Sequence, residues 1–346
     1  MTDILIVDPH TPDPESIARA AEELRRGGLV AFPTETVYGL GAHALDPAAV
    51  RRIFDAKGRP VTDPLIVHVA SVERLAPLVA DIPDAARTLA LRFWPGPLTL
   101  VLPRSTSVPD DVTAGLDTVA VRVPAHPVAR ALLAASAIPI AAPSANLFSR
   151  PSPTRAAHVL EDLNGRIDMV LDGGPTSVGV ESTVLDLSRA VPTILRPGAV
   201  TLEMLLEVLP RVTSGNVTSH IPTGAMPSPG LLAKHYSPRA RLTLYEGDAR
   251  SVAARMAEDA RAQLARGYSV GIVAADDDPL EGAHVVRVGS EQDLAGVASR
   301  LYSALRDLDA AGVDVILARG FPALSGLGVA IADRLRRAAA GRIVRC

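Results

Sequence analysis

Leu29-Val30-Ala31-Phe32-Pro33-Thr34-Glu35-Thr36-Val37-Tyr38-Gly39-Leu40-Gly41 begins as an unbroken apolar run and ends in hydroxyls, a phenol and glycines. Residues 29–32, apolar without alternation and closed by Pro33, predict a short strand buried on both faces. In front of it, residues 14–26 carry apolar positions at helical spacing and stop at Gly27-Gly28, the pattern of an amphipathic helix with a glycine end. Behind it, Asp46-Pro47 offers an N-cap and a first-turn proline for a helix over 47–56. Gly39-Leu40-Gly41-Ala42-His43-Ala44 half-matches a dinucleotide fingerprint, but it opens no helix and is expected to be a turn. Helix, strand, polar turn and helix in this order predict an α/β fold.

The alternation continues outward. Strands are expected at 65–69, 98–102, 118–123, 138–142, 168–171, 183–187 and 193–196, and helices at 71–79, 84–92, 127–136, 154–163 and 201–209. Their irregular order predicts a twisted mixed sheet. Residues 212–240 lose periodicity and turn to Pro, Gly, Ser and Thr, which marks a linker or a functional segment. Beyond it, strands 242–246, 269–274, 284–288 and 313–318 alternate with helices near 249–266, 291–311 and 328–340, as in a smaller Rossmann-like α/β domain with a parallel sheet. The expected domains are 1–211, the linker 212–240 and 241–346.

Composition narrows the classes. Cys346 is the single cysteine, which leaves no internal disulfide framework, zinc-finger cluster or internal cysteine nucleophile. No apolar run reaches the length of a membrane span, and Met1-Thr2-Asp3-Ile4 lacks a signal-peptide start, so a soluble cytoplasmic protein is expected. Residues 1–211 hold 19 basic and 24 acidic side chains, unlike a body that grips nucleic acid by its phosphates. Asp276-Asp277-Asp278 follows a strand and is expected to be a solvated loop, not a metal site. Gly326-Leu327-Gly328 is expected to be a turn at the start of a helix. The chain has 33 arginines and only two lysines, Lys57 and Lys234. A lysine kept against that bias is a candidate for a place where a planar fork will not fit.

The polar groups collect at strand ends. Lys57 and Arg59 flank Gly58 and can converge on one polyanion, a point charge beside a bidentate fork. At a helix end, Lys57 is expected to tolerate arginine without loss of stability. Arg122 interrupts the apolar strand Val119-Ala120-Val121-Arg122-Val123, where an unpaired charge is costly, so it needs a carboxylate from the protein or from a ligand. His68 sits in the apolar strand 65–69. Pro143-Ser144-Ala145-Asn146 follows the C-terminal end of strand 138–142, where open α/β sheets bind ligands. There is neither a P-loop nor a Ser-His-Asp arrangement. The set is suited to holding an anionic substrate, not to forming a covalent intermediate.

Pro33–Gly41, Lys57-Gly58-Arg59-Pro60, Phe93-Trp94-Pro95-Gly96-Pro97-Leu98-Thr99, Val121-Arg122-Val123-Pro124, Pro143-Ser144-Ala145-Asn146, Ser152-Pro153-Thr154, Glu181-Ser182-Thr183-Val184 and Arg196-Pro197-Gly198 resemble, in order, the YrdC-domain family of L-threonylcarbamoyladenylate synthases. Ser228-Pro229-Gly230 and His235-Tyr236-Ser237-Pro238 resemble the linker of its two-domain form. The resemblance implies a YrdC-like catalytic domain with a central cavity. It implies synthesis of threonylcarbamoyl-AMP and pyrophosphate from L-threonine, bicarbonate and ATP, with Mg²⁺, for modifying the adenosine beside the tRNA anticodon. A downstream threonylcarbamoyl transferase would take the product, and direct tRNA binding is not required.

By the same resemblance, Thr36, His68, Arg122, Ala142 and Ser182 would hold threonine, with Arg122 on its carboxylate. Lys57 and Arg59 would be catalytic. Arg59, Asp63, Thr118, Ser144, Asn146, Ser152 and Arg196 would line the ATP site, and Tyr236 would close over the nucleotide, with Lys234 as anchor of that lid. Two departures stand out: Asp63 where the family usually has Asn, and Phe148-Ser149 where it usually has Ser-Gly. YrdC-like domains also occur in carbamoyl-transfer proteins of hydrogenase maturation, but those carry zinc-finger cysteines absent here. An RNA-binding module using the cavity for a phosphate backbone is the other reading, disfavoured by the acidic balance and by 3% aromatics.

Overall fold

The computed structural model describes residues 1–215, 225–230, 232, 234–280 and 284–346. Part of the expected linker therefore lies outside the described residues. The chain divides into two compact units. The first comprises Met1–Phe148, Ser152–Ser177 and Glu181–Leu231, and the second Ser149–Pro151, Val178–Val180 and Leu232–Cys346.

In the first unit the chain runs β1 (Asp3–Ile6), α1 (Pro14–Arg25), β2 (Val30–Pro33), β3 (Tyr38–His43), α2 (Pro47–Lys57), β4 (Ile66–His68), α3 (Asp84–Phe93), β5 (Leu98–Pro103), α4 (Asp110–Thr113), β6 (Thr118–Arg122), α5 (Pro127–Ser136), β7 (Ile140–Ala141), α6 (Ala156–Leu163), β8 (Met169–Asp172), β9 (Thr183–Asp186), β10 (Thr193–Arg196), α7 (Leu202–Leu206) and β11 (Thr213–Ser214). These strands form one sheet in the order β1-β8-β2-β3-β7-β4-β6-β5-β9-β10-β11. Parallel pairs such as β4/β6 alternate with antiparallel pairs such as β5/β6, so the sheet is mixed, as the irregular order of elements requires.

The faces of this sheet are filled unequally. Val67, Val119, Val121, Leu98, Leu100 and Leu185 point to one face and join the largest core cluster, with α2, α3 and α6. On the opposite face, β2, β7 and β8 are covered by Ile17 and Leu24 of α1 and Val128 and Leu132 of α5. Farther along that face Ile66, Val101, Ala120, Val184 and Leu195 form a small apolar cluster that includes no helical residue. Strand periodicity then puts Arg122 and Thr118 on the same face as Ala120, His68 on that of Ile66, and Thr99 on that of Val101. The polar residues thus share the stretch of sheet that no helix fills.

The second unit contains β12 (Arg241–Glu246), α8 (Ala249–Ala265), β13 (Val270–Ala274), β14 (His284–Arg287), α9 (Leu294–Ala310), β15 (Val315–Arg319), α10 (Leu327–Ala339) and β16 (Ile343–Arg345). Its sheet is parallel throughout, in the order β14-β13-β15-β12-β16. Asp248 and Asp293 cap α8 and α9 by accepting the backbone N–H of Ser251 and Gly296.

Several expectations are corrected. Gly39-Leu40-Gly41 is not a turn but part of β3, antiparallel to β2. A Cβ on Gly41 would lie 2.8 Å from the Phe32 ring and 2.9 Å from Ile140 Cγ2, so the glycine serves close packing. The helix over 71–79 is a single 3₁₀ turn, Val72–Leu75, because Pro77 cannot continue it. The strand at 138–142 shrinks to Ile140–Ala141 between Pro139 and Pro143. Strands β1, β11 and β16 and the short α4 went unforeseen. Gly328 does open α10 tightly: a Cβ there would strike the Pro322 carbonyl oxygen.

Gly41→Ala should therefore overpack the β2–β3–β7 contact and cost about 1–3 kcal/mol. Chemical denaturation would read this as a lower midpoint at unchanged m-value. An unchanged midpoint would mean that the contact has slack.

Candidate active site

Arg122 ends β6, in register with His68 at the end of the parallel β4. The arginine is buried, and each of its three nitrogens donates one hydrogen bond. Its Nε donates to Gly96 O at 3.2 Å, Nη1 to Thr36 Oγ1 at 3.0 Å and Nη2 to Glu35 Oε1 at 2.7 Å. The second Glu35 oxygen accepts the Ala125 N–H at 3.0 Å. The turn after β2 holds itself in shape, with Thr34 Oγ1 donating to Val37 O at 2.7 Å and sharing a hydroxyl pair of 2.8 Å with Thr36. Arg122 thus has the carboxylate partner that its place in an apolar strand demands, and the protein supplies it through Glu35. Its Nη1 still faces Thr36, at the mouth of the turn.

His68 is buried beside this cation. Burial first, and then the Arg122 charge, lower its pKa to about 3, so the ring is neutral at physiological pH. Its Nδ1 meets no hydrogen-bond partner among the described residues. Ala142, just past β7, donates its backbone N–H to Ile66 O at 2.9 Å, and a Cβ added to Gly39 would lie 3.3 Å from its methyl.

A second cluster forms around Asp63. Lys57 Nζ donates to the carbonyls of Ser144 and Asn146, both at 2.5 Å. Two converging carbonyl oxygens suit a compact ammonium; a guanidinium is too wide for the gap. Arg59 donates to Asp63 O at 3.1 Å and Pro64 O at 2.8 Å, and its Nη2 lies 3.0 Å from Asp63 Oδ1. Both Asp63 carboxylate oxygens are buried without a hydrogen bond among the described residues. Burial raises the Asp63 pKa, against the opposing pull of Arg59, Lys57 and Arg196. Lys57 itself is 2% exposed, which corrects the expectation of a tolerant helix end.

Arg196 closes the cluster. A register shift between Ile194 and Arg196 bulges β10, and the side chain reaches back to β9. Its Nε and Nη2 donate to Ser182 O at 3.1 and 3.0 Å, and Nη2 also to Ser182 Oγ at 3.1 Å. Ser182 Oγ pairs with Thr99 Oγ1 at 2.7 Å, and Ser152 donates to Glu181 at 2.5 Å. The described part of the linker also meets this cluster. Met226 donates its N–H to Thr62 O at 3.1 Å, and Arg196 Nη1 donates to Pro229 O at 3.4 Å.

The structure thus brings Thr36, His68 and Arg122 together, and separately Lys57, Arg59, Asp63, Ser144 and Asn146, with Ser182, Ser152 and Arg196 beside them. Thr118 shares the face but starts β6, about 13 Å from Arg122 along the strand. Tyr236 belongs to the second unit. There it is buried at a left-handed φ of 60°, with its ring 5.6 Å from Tyr302 and under the Arg334 guanidinium. Glu35, Thr99 and Glu181 were not singled out from sequence. Glu35 could have been, because a buried arginine demands a carboxylate and Glu35 stands in the hydroxyl-rich turn. Among the described residues there is no cluster of three potential metal ligands, and no helix is long and apolar enough to cross a membrane.

The family profile described as "Telomere recombination" matches residues 22–198, and that of the "Threonylcarbamoyl-AMP synthase, C-terminal domain" matches residues 200–340. A threonylcarbamoyl-AMP synthase of Pyrococcus abyssi is 47% identical over 94% of each chain. One of Bacillus subtilis is 45% identical over 97% of this chain and 96% of its own. The crystal structure of P. abyssi Sua5 complexed with L-threonine is similar at a TM-score of 0.94 and 46% identity, over the whole of both chains.

The neutral His68 sets a pH dependence. Its folded pKa lies below the unfolded value of 6.5, so its contribution to stability is full above 6.5 and lost as pH falls from there towards 3. The slope for one proton is about 1.4 kcal/mol per pH unit. Denaturation series from pH 7 to 5 should show a slope in the wild type that steepens towards this limit as pH falls, and a flatter one in His68→Gln. Equal slopes would mean that His68 is protonated in the folded state.

Proposed function

The chain belongs to the threonylcarbamoyl-AMP synthase family and makes threonylcarbamoyl-AMP; on that premise we propose how the residues of the first unit divide the work. The reactants are L-threonine, bicarbonate and ATP. The amine of threonine and bicarbonate first condense to a carbamate with loss of water. A carbamate oxygen then attacks the α-phosphorus of ATP, and pyrophosphate leaves. No protein atom becomes bonded to substrate, so the residues contribute by position and charge.

The observation that carries this reading is that the protein holds two polar clusters in shape by itself, one on the helix-free stretch of sheet around Arg122 and one where the end of α2 meets the loop after β7. Arg122, held by Glu35 and Gly96, offers Nη1 to the threonine carboxylate, with the Thr36 hydroxyl beside it. Neutral His68 donates or accepts there without adding charge, while Ala142 and Ser182 bound the space. A carboxylate brought to Arg122 enters a field already balanced by Glu35, so its binding rests on directed hydrogen bonds more than on net charge.

Lys57, Arg59 and Arg196 surround the position where charge develops on pyrophosphate, with Ser144, Asn146 and Ser152 nearby. Thr118 and Tyr236 are the further ATP contacts that the family resemblance implies. The hydroxyl of Ser182 is held by both Arg196 and Thr99. A magnesium ion fits this cluster only as one carried by the triphosphate. The hydrogen-bond-free Asp63 oxygens are the protein's available ligand, and the ion would neutralise phosphate charge. A cytoplasmic location fits the use of ATP and a product destined for tRNA, with a threonylcarbamoyl transferase as the consumer.

Pyrophosphate release should require ATP, L-threonine, bicarbonate and a divalent cation together. Release at the same rate without threonine would overturn the reading. Lys57→Arg should lower turnover about tenfold or more, or roughly 1.4 kcal/mol in the barrier. It should also lower the melting temperature, because the two-carbonyl cradle cannot take the fork. Wild-type kinetics and melting for this variant would show that the cradle is not selective for lysine.

A further inference from the structure

The second unit has a cleft of its own. In its sheet, β12 and β15 are neighbours, yet α8 leads the chain from β12 to β13 on one side and α10 leads it from β15 to β16 on the other. Neighbouring strands that send their helices in opposite directions open a crevice at their C-terminal ends, where open α/β sheets take ligands. A cavity of about 520 Å³ lies there, lined by the start of α8, the loop after β13 and Arg319 at the end of β15. That is room for a ligand larger than a single ion or amino acid.

The lining is selective. One wall is a strip of small apolar side chains, Ala249, Ala253, Ala254 and Ala257 of α8. The rest of the lining carries the charges. Arg319 is 2% exposed, ion-paired with Glu291, and its Nε lies 3.3 Å from Asp278 Oδ1. Even so, its Nε and Nη1 have no hydrogen-bond partner among the described residues. Asp278 is fixed, because its Oδ2 accepts the Ala275 N–H at 2.8 Å. Buried N–H donors left unmade are costly, and the missing acceptor is what a ligand can bring. Asp277, Asp278 and Glu291 outnumber Arg250 and Arg319, so an incoming phosphate meets net repulsion while hydroxyl donors are welcome.

We propose that this cleft of the second unit binds an uncharged ribonucleoside. The apolar face of the base would lie on the alanine strip of α8. A base or sugar acceptor would meet Arg319, and the vicinal ribose hydroxyls would donate to Asp277 and Glu291. A simple sugar lacks the flat apolar face, and a nucleotide adds charge of the wrong sign.

The test is calorimetric titration of adenosine and of uridine into the full-length protein, in the presence of a saturating non-hydrolysable ATP analogue, with AMP and L-threonine as further arms. One nucleoside should bind at one site, and AMP at least fivefold more weakly. Ala254→Leu narrows the cleft from an exposed helical position that leucine suits. It should weaken nucleoside binding at least tenfold with pyrophosphate release unchanged. Arg319→Gln should weaken binding similarly. The proposal fails if neither nucleoside binds, if AMP binds as tightly as the nucleoside, or if threonine takes this cleft instead. It fails equally if nucleoside binding survives Ala254→Leu.

Discussion

The buried pair of Glu35 and Arg122 is the contact on which the first unit's site depends. Two charges taken out of water cost several kcal/mol each unless each finds partners. Here each does: both Glu35 oxygens accept N–H groups, and Arg122 reaches Gly96, Thr36 and Glu35. The pair ties the turn after β2 to the end of β6 and to the loop before α5. Removing either partner would leave the other charged and buried, at a cost of about 3–5 kcal/mol. The same pair fixes where Thr36 points, and the charge of Arg122 adds to the larger effect of burial in keeping His68 neutral.

Around that pair, the sheet divides labour by strand parity. Alternate residues of β4, β5, β6 and β9 feed the main core, and the others build the site. A one-residue slip in any of these strands would turn the site residues into the main apolar core and the core set onto the site face, so fold and site share one register. The apolar members of the site face are correspondingly few. Ile66, Val101, Ala120, Val184 and Leu195 supply a dry floor without bringing a helix over it.

Much of this was legible in the sequence, and the gaps have physical causes. A charge at position 122 in an apolar strand announces a buried site, and the helix opened by Asp46-Pro47 declares its own start. The β3 strand was hidden because Gly39 and Gly41 mimic a turn, whereas their purpose is the close approach of Phe32 and Ile140. Glu35, Thr99 and Glu181 escaped notice because their partners are remote in sequence. Glu35 pairs with a residue 87 positions away and Thr99 with one 83 away. The run Asp276-Asp277-Asp278 read as solvated. Two of its members are exposed, but Asp278 is turned inward to cap the end of β13.

The bias against lysine now has a local meaning at one of its two exceptions. Gly58, left-handed at φ 62°, ends α2 and lets the chain turn away directly after Lys57. The ammonium is thereby sent between the Ser144 and Asn146 carbonyls, which belong to the loop after β7. Those carbonyls neutralise part of its charge and fix its direction, while Asp63 nearby is held among three cations without a hydrogen bond of its own. The cluster carries three cations against this one carboxylate, an excess of positive charge rather than of unmet donors. On the function proposed above, a polyanion balances it. The aspartate moderates the excess positive charge, so that the site need not collapse or recruit stray anions before the substrate arrives.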